Sequence, residues 1–168
     1  MTANDPFKVF TVSSYRNLHA VKLFHLELRL MPGVTVIDWT QFAPRLSMPL
    51  DDRRRKMDVG ETCLISEFCE KACATADLVV YYGESGKDSA VLVGMAKAIG
   101  IPILGLPGPL EKEGLILRHA VSLWVESPLQ ALRRIKTVAR CHLHDDRELP
   151  CTKCRSERIC ALAGTKIS

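Results

Sequence analysis

Runs of consecutive apolar residues, rather than alternating ones, recur along this chain at strand length. They fall at Phe7–Ser14, Val34–Asp38, Asp77–Tyr82, Ile101–Leu106 and Val121–Val125. Strands that lack alternation are buried on both faces, as in a parallel sheet. Between these runs the apolar period changes to three and four. Val21, Phe24 and Leu28 predict a helix over Leu18–Leu30, stopped by Met31-Pro32-Gly33. Trp39–Leu50, with Pro44 and Pro49, reads as a loop, and Asp51–Ala76 as mostly helical. Leu64, Ile65, Phe68, Cys69, Ala72 and Cys73 form one face of that second helix, which makes Cys69 and Cys73 core thiols. Ser89–Ala98 is apolar on nearly all sides, as a helix packed on a sheet should be. After the fourth strand comes a loop with Pro107, Gly108, Pro109 and Gly114. Ser127-Pro128 predicts a cap and first helical position, with the last helix running to about Ala139.

Strands that alternate with helices predict an α/β fold with a doubly wound parallel sheet. Five strands suggest the flavodoxin-like order 2-1-3-4-5, with the exits of strands one and three adjacent at the switch point where ligands bind. That order sets Ser13, Ser14, Tyr15 and Arg16 across a crevice from Gly83–Ser89, with Asp38 and Trp39 at the side. Ser13, Ser14, Tyr15 and Arg16 are then ligand contacts. Gly83, Gly86 and Ser89 supply backbone N–H and hydroxyl groups able to hold a phosphate, a carboxylate or sugar hydroxyls. Arg16 suits a phosphate or phosphorylated ribose. Glu84 and Asp88 are the carboxylates placed for chemistry. A plainer reading stands beside this one. In it the two glycines only shape a turn, Asp88 or Ser89 only caps a helix, and Arg16 is an exposed helix-start residue.

Two familiar motifs are excluded. GESGKDS has two residues between Gly83 and Gly86 where a Walker loop needs four, and Asp88 stands where that loop needs a hydroxyl. The dinucleotide fingerprint G-x-G-x-x-G is also missing.

Composition narrows the class further. The 168 residues suit one domain with a small appendage, and 47% hydrophobic residues support a sizeable core. The net charge of +4 is mild, with no aromatic-interleaved basic stripe of the kind that marks nucleic-acid binding. The densest charge run, Asp51–Lys56, reads as an exposed loop or helix start. The first ten residues lack a signal pattern, and no apolar run reaches membrane-spanning length. The expectation is a cytoplasmic protein without a membrane partner, whose seven cysteines are thiols or metal ligands rather than disulfides.

Three segments, KVFTVSSYR at Lys8–Arg16, ADLVV at Ala76–Val80 and DSAVLVGMAKAIGIPILGL at Asp88–Leu106, resemble the nucleoside 2-deoxyribosyltransferase-like superfamily in order and spacing. The resemblance covers roughly residues 7–126. It implies a nucleoside or nucleotide ligand, a homo-oligomer, and a Glu nucleophile two positions before the helix glycine. With Gly94 as anchor that position is Leu92, which has no nucleophilic atom. Glu84 or Asp88 would have to substitute for transferase or hydrolase chemistry on an N-glycosidic bond. Otherwise the chain is a nucleotide or ADP-ribose-like binding module, or an interaction protein that has lost the ligand.

Beyond residue 139 the character changes. Residues 140–168 form a Cys-rich tail after the α/β domain at 1–139, and Cys141, Cys151, Cys154 and Cys160 are spaced C-x9-C-x2-C-x5-C. Cys151-x-x-Cys154 is the spacing that grips a tetrahedral zinc ion, and Cys141 and Cys160, or His142 or His144, would complete a structural site. A flexible tail, a redox pair and an iron–sulfur site are the other readings. Lys153, Arg155 and Arg158 make this tail the one place where nucleic-acid contact is suggested. No organic cofactor is expected.

Overall fold

Buried apolar runs become the strands of one parallel sheet in the order β2-β1-β3-β4-β5. The computed structural model describes residues 5–42, 61–84, 86–109, 111 and 114–143. Its strands are β1 (Phe7–Ser13), β2 (Val34–Ile37), β3 (Leu78–Tyr82), β4 (Ile103–Leu106) and β5 (Leu123–Trp124). Its helices are α1 (Leu18–Arg29), α2 (Glu61–Thr75), α3 (Lys87–Ala98), α4 (Leu115–Ala120) and α5 (Pro128–Leu143). The expected loop over 43–50, the helix start at 51–60, Ser85, and the tail from 144 onward lie outside the described residues.

Side-chain alternation along the strands divides the core in two. Phe7 and Val9 of β1 pack with Phe24 and Leu28 of α1 and with Ala131 and Ile135 of α5. Phe10 and Val12 point the other way, onto Ala72 and Cys73 of α2 and Val93 and Ala96 of α3. Leu78, Val79, Val80, Ile103 and Leu104 are all buried, which is why β3 and β4 read as unbroken apolar runs. Asp77 ties the sheet at the strand starts, where its carboxylate accepts the Lys8 N–H at 2.7 Å. Gly105 is required by packing. A Cβ there would lie 2.5 Å from the Trp124 ring and 2.7 Å from Val121.

Three elements depart from the sequence expectations. The fifth strand narrows to Leu123–Trp124, since β5 is an edge strand paired only with β4. The expected loop after Leu106 contains α4, a six-residue helix whose Leu115 and Ile116 are exposed and give no amphipathic signal. The last helix continues past Ala139 to Leu143, so Cys141 and His142 belong to α5. His142 stacks at 5.3 Å on Phe7, the first residue of β1. The last turn of α5 therefore lies at the end of the sheet where the strands begin, opposite the strand exits. Among the described residues no helix is long and apolar enough to cross a membrane.

Strand register sets the height of each exit. Ser13 pairs with Tyr82, so β1 and β3 end level with each other. β2 ends earlier, with Ile37 opposite Phe10. Asp38 is therefore level with Thr11, two residues or about 7 Å short of the rim where Ser13 sits.

Candidate functional site

The turns after β1 and β3 are joined by hydrogen bonds. Ser13 Oγ donates to the Tyr82 carbonyl at 2.5 Å. Asn17, in the short 3-10 turn that follows β1, spans the gap between the turns. Its Nδ2 donates to Ser13 Oγ at 3.1 Å and to the Glu84 carbonyl at 2.9 Å. Residues 67 apart in sequence thus form one wall. Ser14 caps the 3-10 turn, its Oγ accepting the Arg16 N–H at 3.3 Å. Arg16 is exposed at the rim.

Opposite this turn, α3 begins at Gly86 with no side-chain cap. Its first N–H groups are left for solvent or a ligand, and an anion there meets the positive end of the helix dipole. Gly86 is exposed, and a Cβ on it would meet nothing within 4 Å. Neither Asp88 nor Ser89 caps the helix. Ser89 is buried and Asp88 is exposed in the first turn. Burial raises the Tyr15 hydroxyl pKa, and electrostatic interaction with Cys69 and Asp88 pushes it further the same way. Tyr15, from the first turn, therefore lies near Asp88 and Cys69. Leu92 packs into the apolar cluster behind them, and its carbonyl accepts the Cys73 thiol at 3.6 Å. Burial holds both thiols protonated, with Cys69 at about 11 and Cys73 at about 12.

The floor beneath Gly83 is built by a residue that the sequence did not flag. Glu111, on the loop after β4, accepts a hydrogen bond from Tyr81 Oη through one carboxylate oxygen. The other oxygen accepts the Gly108 N–H at 3.1 Å. Gly83 lies directly against this arrangement, so a Cβ on it would come 2.8 Å from Gly108 N and would overlap the Glu111 carboxylate. A Cβ on Gly108 would in turn lie 2.7 Å from Glu84 N. Gly83 and Gly108 are glycines because two backbone turns touch there. Trp124 closes the side, edge-on to Tyr81 at 5.8 Å. Nothing local marks Glu111 or Asn17. Each also has a partner far away in sequence, Tyr81 for Glu111 and the Glu84 carbonyl for Asn17.

The two residues expected at the side of the crevice are placed differently from the rest. Asp38 turns toward α1. It accepts the Thr40 N–H at 2.8 Å and the Thr40 hydroxyl at 2.6 Å, pairs with Arg29, and faces His25 Nδ1 at 3.2 Å. Burial works to raise the Asp38 pKa. The Thr40 bonds, His25 and Arg29 outweigh it, so the carboxyl sits below its ordinary value. The Asp38 carboxylate accepts these bonds while ionised, so His25 donates from Nδ1–H. This leaves its buried Nε2 without a partner. Burial also lowers the His25 pKa, more than Asp38 raises it. Trp39 is buried and reaches the site only through its ring, edge-on to Tyr15 at 5.3 Å. An open groove of about 350 Å³ runs over this network, lined by Lys22, Leu26, Arg29, Asp38, Thr40 and Gln41.

Among the described residues no three His, Cys, Asp or Glu side chains are placed to hold a metal ion. Cys141 is exposed on the last turn of α5, and Cys151, Cys154 and Cys160 lie outside the described residues.

The architecture is thus an open, doubly wound α/β sheet whose first and third strand exits share one wall. The sequence matches no family profile and no curated protein. Among solved structures the chain is similar to the 2-deoxyribosyltransferase of the psychrotolerant bacterium Bacillus psychrosaccharolyticus. The TM-score is 0.52 at 17% identity, covering 74% of this chain and 90% of that one. It is also similar to the CMP N-glycosidase BcmB of Clostridium botulinum, with a TM-score of 0.49 at 13% identity over 76% of this chain and 97% of that one. The chain shares the fold of that 2-deoxyribosyltransferase.

Proposed function

We propose that the crevice between the 13–17 turn and the start of α3 binds a nucleoside or nucleotide. One observation carries this reading. Asn17 fastens the β1 turn to the β3 turn, so Tyr15, Arg16, Asp88 and the uncapped start of α3 border one site. The deoxyribosyltransferase fold supports a nucleoside in that position. Arg16 and the α3 N–H groups favour a phosphorylated one. Thermal shift across a panel of nucleosides and their monophosphates tests this. At a concentration near 100 times Kd, binding adds about 2.7 kcal/mol, so Tm rises by roughly 5–10 °C. Arg16→Ala should weaken a monophosphate about tenfold or more, the worth of one charged hydrogen bond, and leave the parent nucleoside nearly unchanged. No shift with any member of the panel would remove the proposal.

A second reading adds chemistry at the N-glycosidic bond. It is favoured by three carboxylates around the Gly83 turn: Glu84 on the turn, Asp88 beside Tyr15, and Glu111 beneath Gly83. In that reading one carboxylate attacks the anomeric carbon, and the bond to the base breaks with its electron pair leaving on the base. The base takes a proton from an acid, and water or a second base then releases the sugar. Mass spectrometry of deoxynucleoside and nucleotide mixtures reads out free base. Release that vanishes in Asp88→Asn or Glu84→Gln supports catalysis. Ligand-induced stabilisation without release leaves a binding module.

For the tail we propose a structural zinc ion held by Cys141, Cys151, Cys154 and Cys160. The support is the C-x-x-C spacing together with a helix that carries Cys141 to its last turn. Elemental analysis should find about one zinc per chain, lost in Cys151→Ser/Cys154→Ser together with stability of the tail. Less than about a tenth of an equivalent rules the site out.

A further inference from the structure

α5 is the most unevenly charged element of the described fold. It contains Arg133, Arg134, Lys136, Arg140 and His142, and no Asp or Glu. Its buried side is Ala131, Ile135, Val138 and Ala139, packed on the sheet. At 3.6 residues per turn, Arg133, Lys136 and Arg140 fall on the opposite side, and all three are exposed. None of the three makes an ion pair among the described residues. The rise of a helix sets Arg133 and Lys136 about 4.5 Å apart along the axis, and Arg133 and Arg140 about 10.5 Å apart.

A fold that needed only a solvated helix face would mix signs on it. Lys136 and Arg140 are four residues apart and Arg133 and Lys136 three apart, so each pair repels across one turn of helix. The helix has no carboxylate to relieve them. An anion array with regular spacing would relieve them.

We propose that the outer stripe of α5 docks on the phosphate backbone of a nucleic acid. A single strand of duplex presents a phosphate about every 3.4 Å along the axis, so three cations spread over about 10.5 Å engage about three phosphates. An anionic membrane is a poorer fit. The apolar side of α5 is spent on the core, and among the described side chains of the helix Leu129 is the one large exposed hydrophobe. This inference is independent of the crevice and of any ligand there.

The test is fluorescence anisotropy of the full chain with two labelled probes of about 20 nucleotides per strand, a mixed-sequence DNA duplex and a single-stranded RNA, titrated between 50 and 200 mM salt. Arg133→Gln/Lys136→Gln/Arg140→Gln removes the charge and leaves the buried face intact, and circular dichroism confirms the helix. For a probe that binds, the salt slope of log K should become shallower by about 2.7 with duplex or about 2.1 with the single strand. Affinity at 50 mM salt should fall by more than about tenfold. Three results overturn the proposal: no binding to either probe at low salt, binding with an unchanged slope in the triple variant, or binding to phosphatidylserine vesicles in place of both nucleic acids. Thermal shifts with mononucleotides should be the same in the triple variant and the parent.

Discussion

Gly83→Ala should lower stability by about 2–3 kcal/mol, the upper part of the range for forcing a methyl group into a packed site. For a chain of this size that is a fall in Tm of roughly 4–12 °C. The same variant should lose ligand-induced stabilisation. The reason is geometric. A Cβ on Gly83 would sit 2.8 Å from the backbone nitrogen of Gly108 and against the Glu111 carboxylate. Glu111 has little room to swing away, because Tyr81 and the Gly108 N–H hold its two oxygens. The turn must therefore move, taking Glu84 and the Asn17 bond to its carbonyl with it. Glu111→Ala in the same chain separates the two obstacles. The double variant should regain part of the lost stability by removing the carboxylate clash, while the contact with Gly108 remains. Additive losses in the cycle, with no coupling between the two sites, would show that this packing does not constrain the turn. Gly86→Ala is the control. Nothing lies within 4 Å of its Cβ position, so both Tm and binding should hardly change.

The contrast between Gly83 and Gly86 also shows what the sequence made legible. Both glycines look alike in GESGKDS, and both mark a strand-to-helix turn. Only long-range packing distinguishes them, because the group that excludes a side chain at Gly83 arrives from the loop after β4. The strands were readable for a local reason. β3 and β4 are buried on both faces, so every residue in them reports its environment. From those runs the order 2-1-3-4-5 and the pairing of the first and third exits followed. α4 was not readable, since a short helix with exposed Leu115 and Ile116 has no periodic apolar face. Asn17 and Glu111 were not readable either, because an amide and a carboxylate in loops carry no sign of partners 67 and 30 residues away. Asp38 and Trp39 are expected at the side of the crevice because they follow the second strand. β2 ends opposite Phe10 while β1 continues to Ser13. That stagger is enough to hand the Asp38 carboxylate to α1.

Asp38→Ala should therefore cost about 3 kcal/mol of folding stability and leave nucleotide binding intact. The carboxylate satisfies the Thr40 N–H and hydroxyl and the ring N–H of His25, which is fully buried. Leaving a buried donor unpaired costs about 1–3 kcal/mol, and here more than one is stranded. The same network predicts acid sensitivity, with a definite sign. The folded-state pKa of His25 lies below its unfolded value of 6.5, because burial disfavours the imidazolium. Below pH 6.5 the unfolded chain therefore binds more protons than the folded one at this site, and stability falls as pH drops until the folded-state pKa is reached. The slope from one such group is at most about 1.4 kcal/mol per pH unit. Asp38 acts lower down. Its folded pKa lies below 3.8, so its contribution is present above that value and is lost as pH falls through the folded pKa. Denaturant unfolding of the parent chain, His25→Phe and Asp38→Ala at half-unit steps from about pH 7.5 to 4.5 isolates the histidine from the Asp38 titration below that range. His25→Phe should flatten the fall between pH 6.5 and the folded pKa by removing the group that titrates. Asp38→Ala should lower the whole curve and steepen the same stretch, since the buried imidazole loses the one neighbouring charge that favours its protonation. If the parent and His25→Phe run parallel across this range, the histidine is not held neutral by burial. If Asp38→Ala abolishes nucleotide binding at full stability, the carboxylate belongs to the crevice after all.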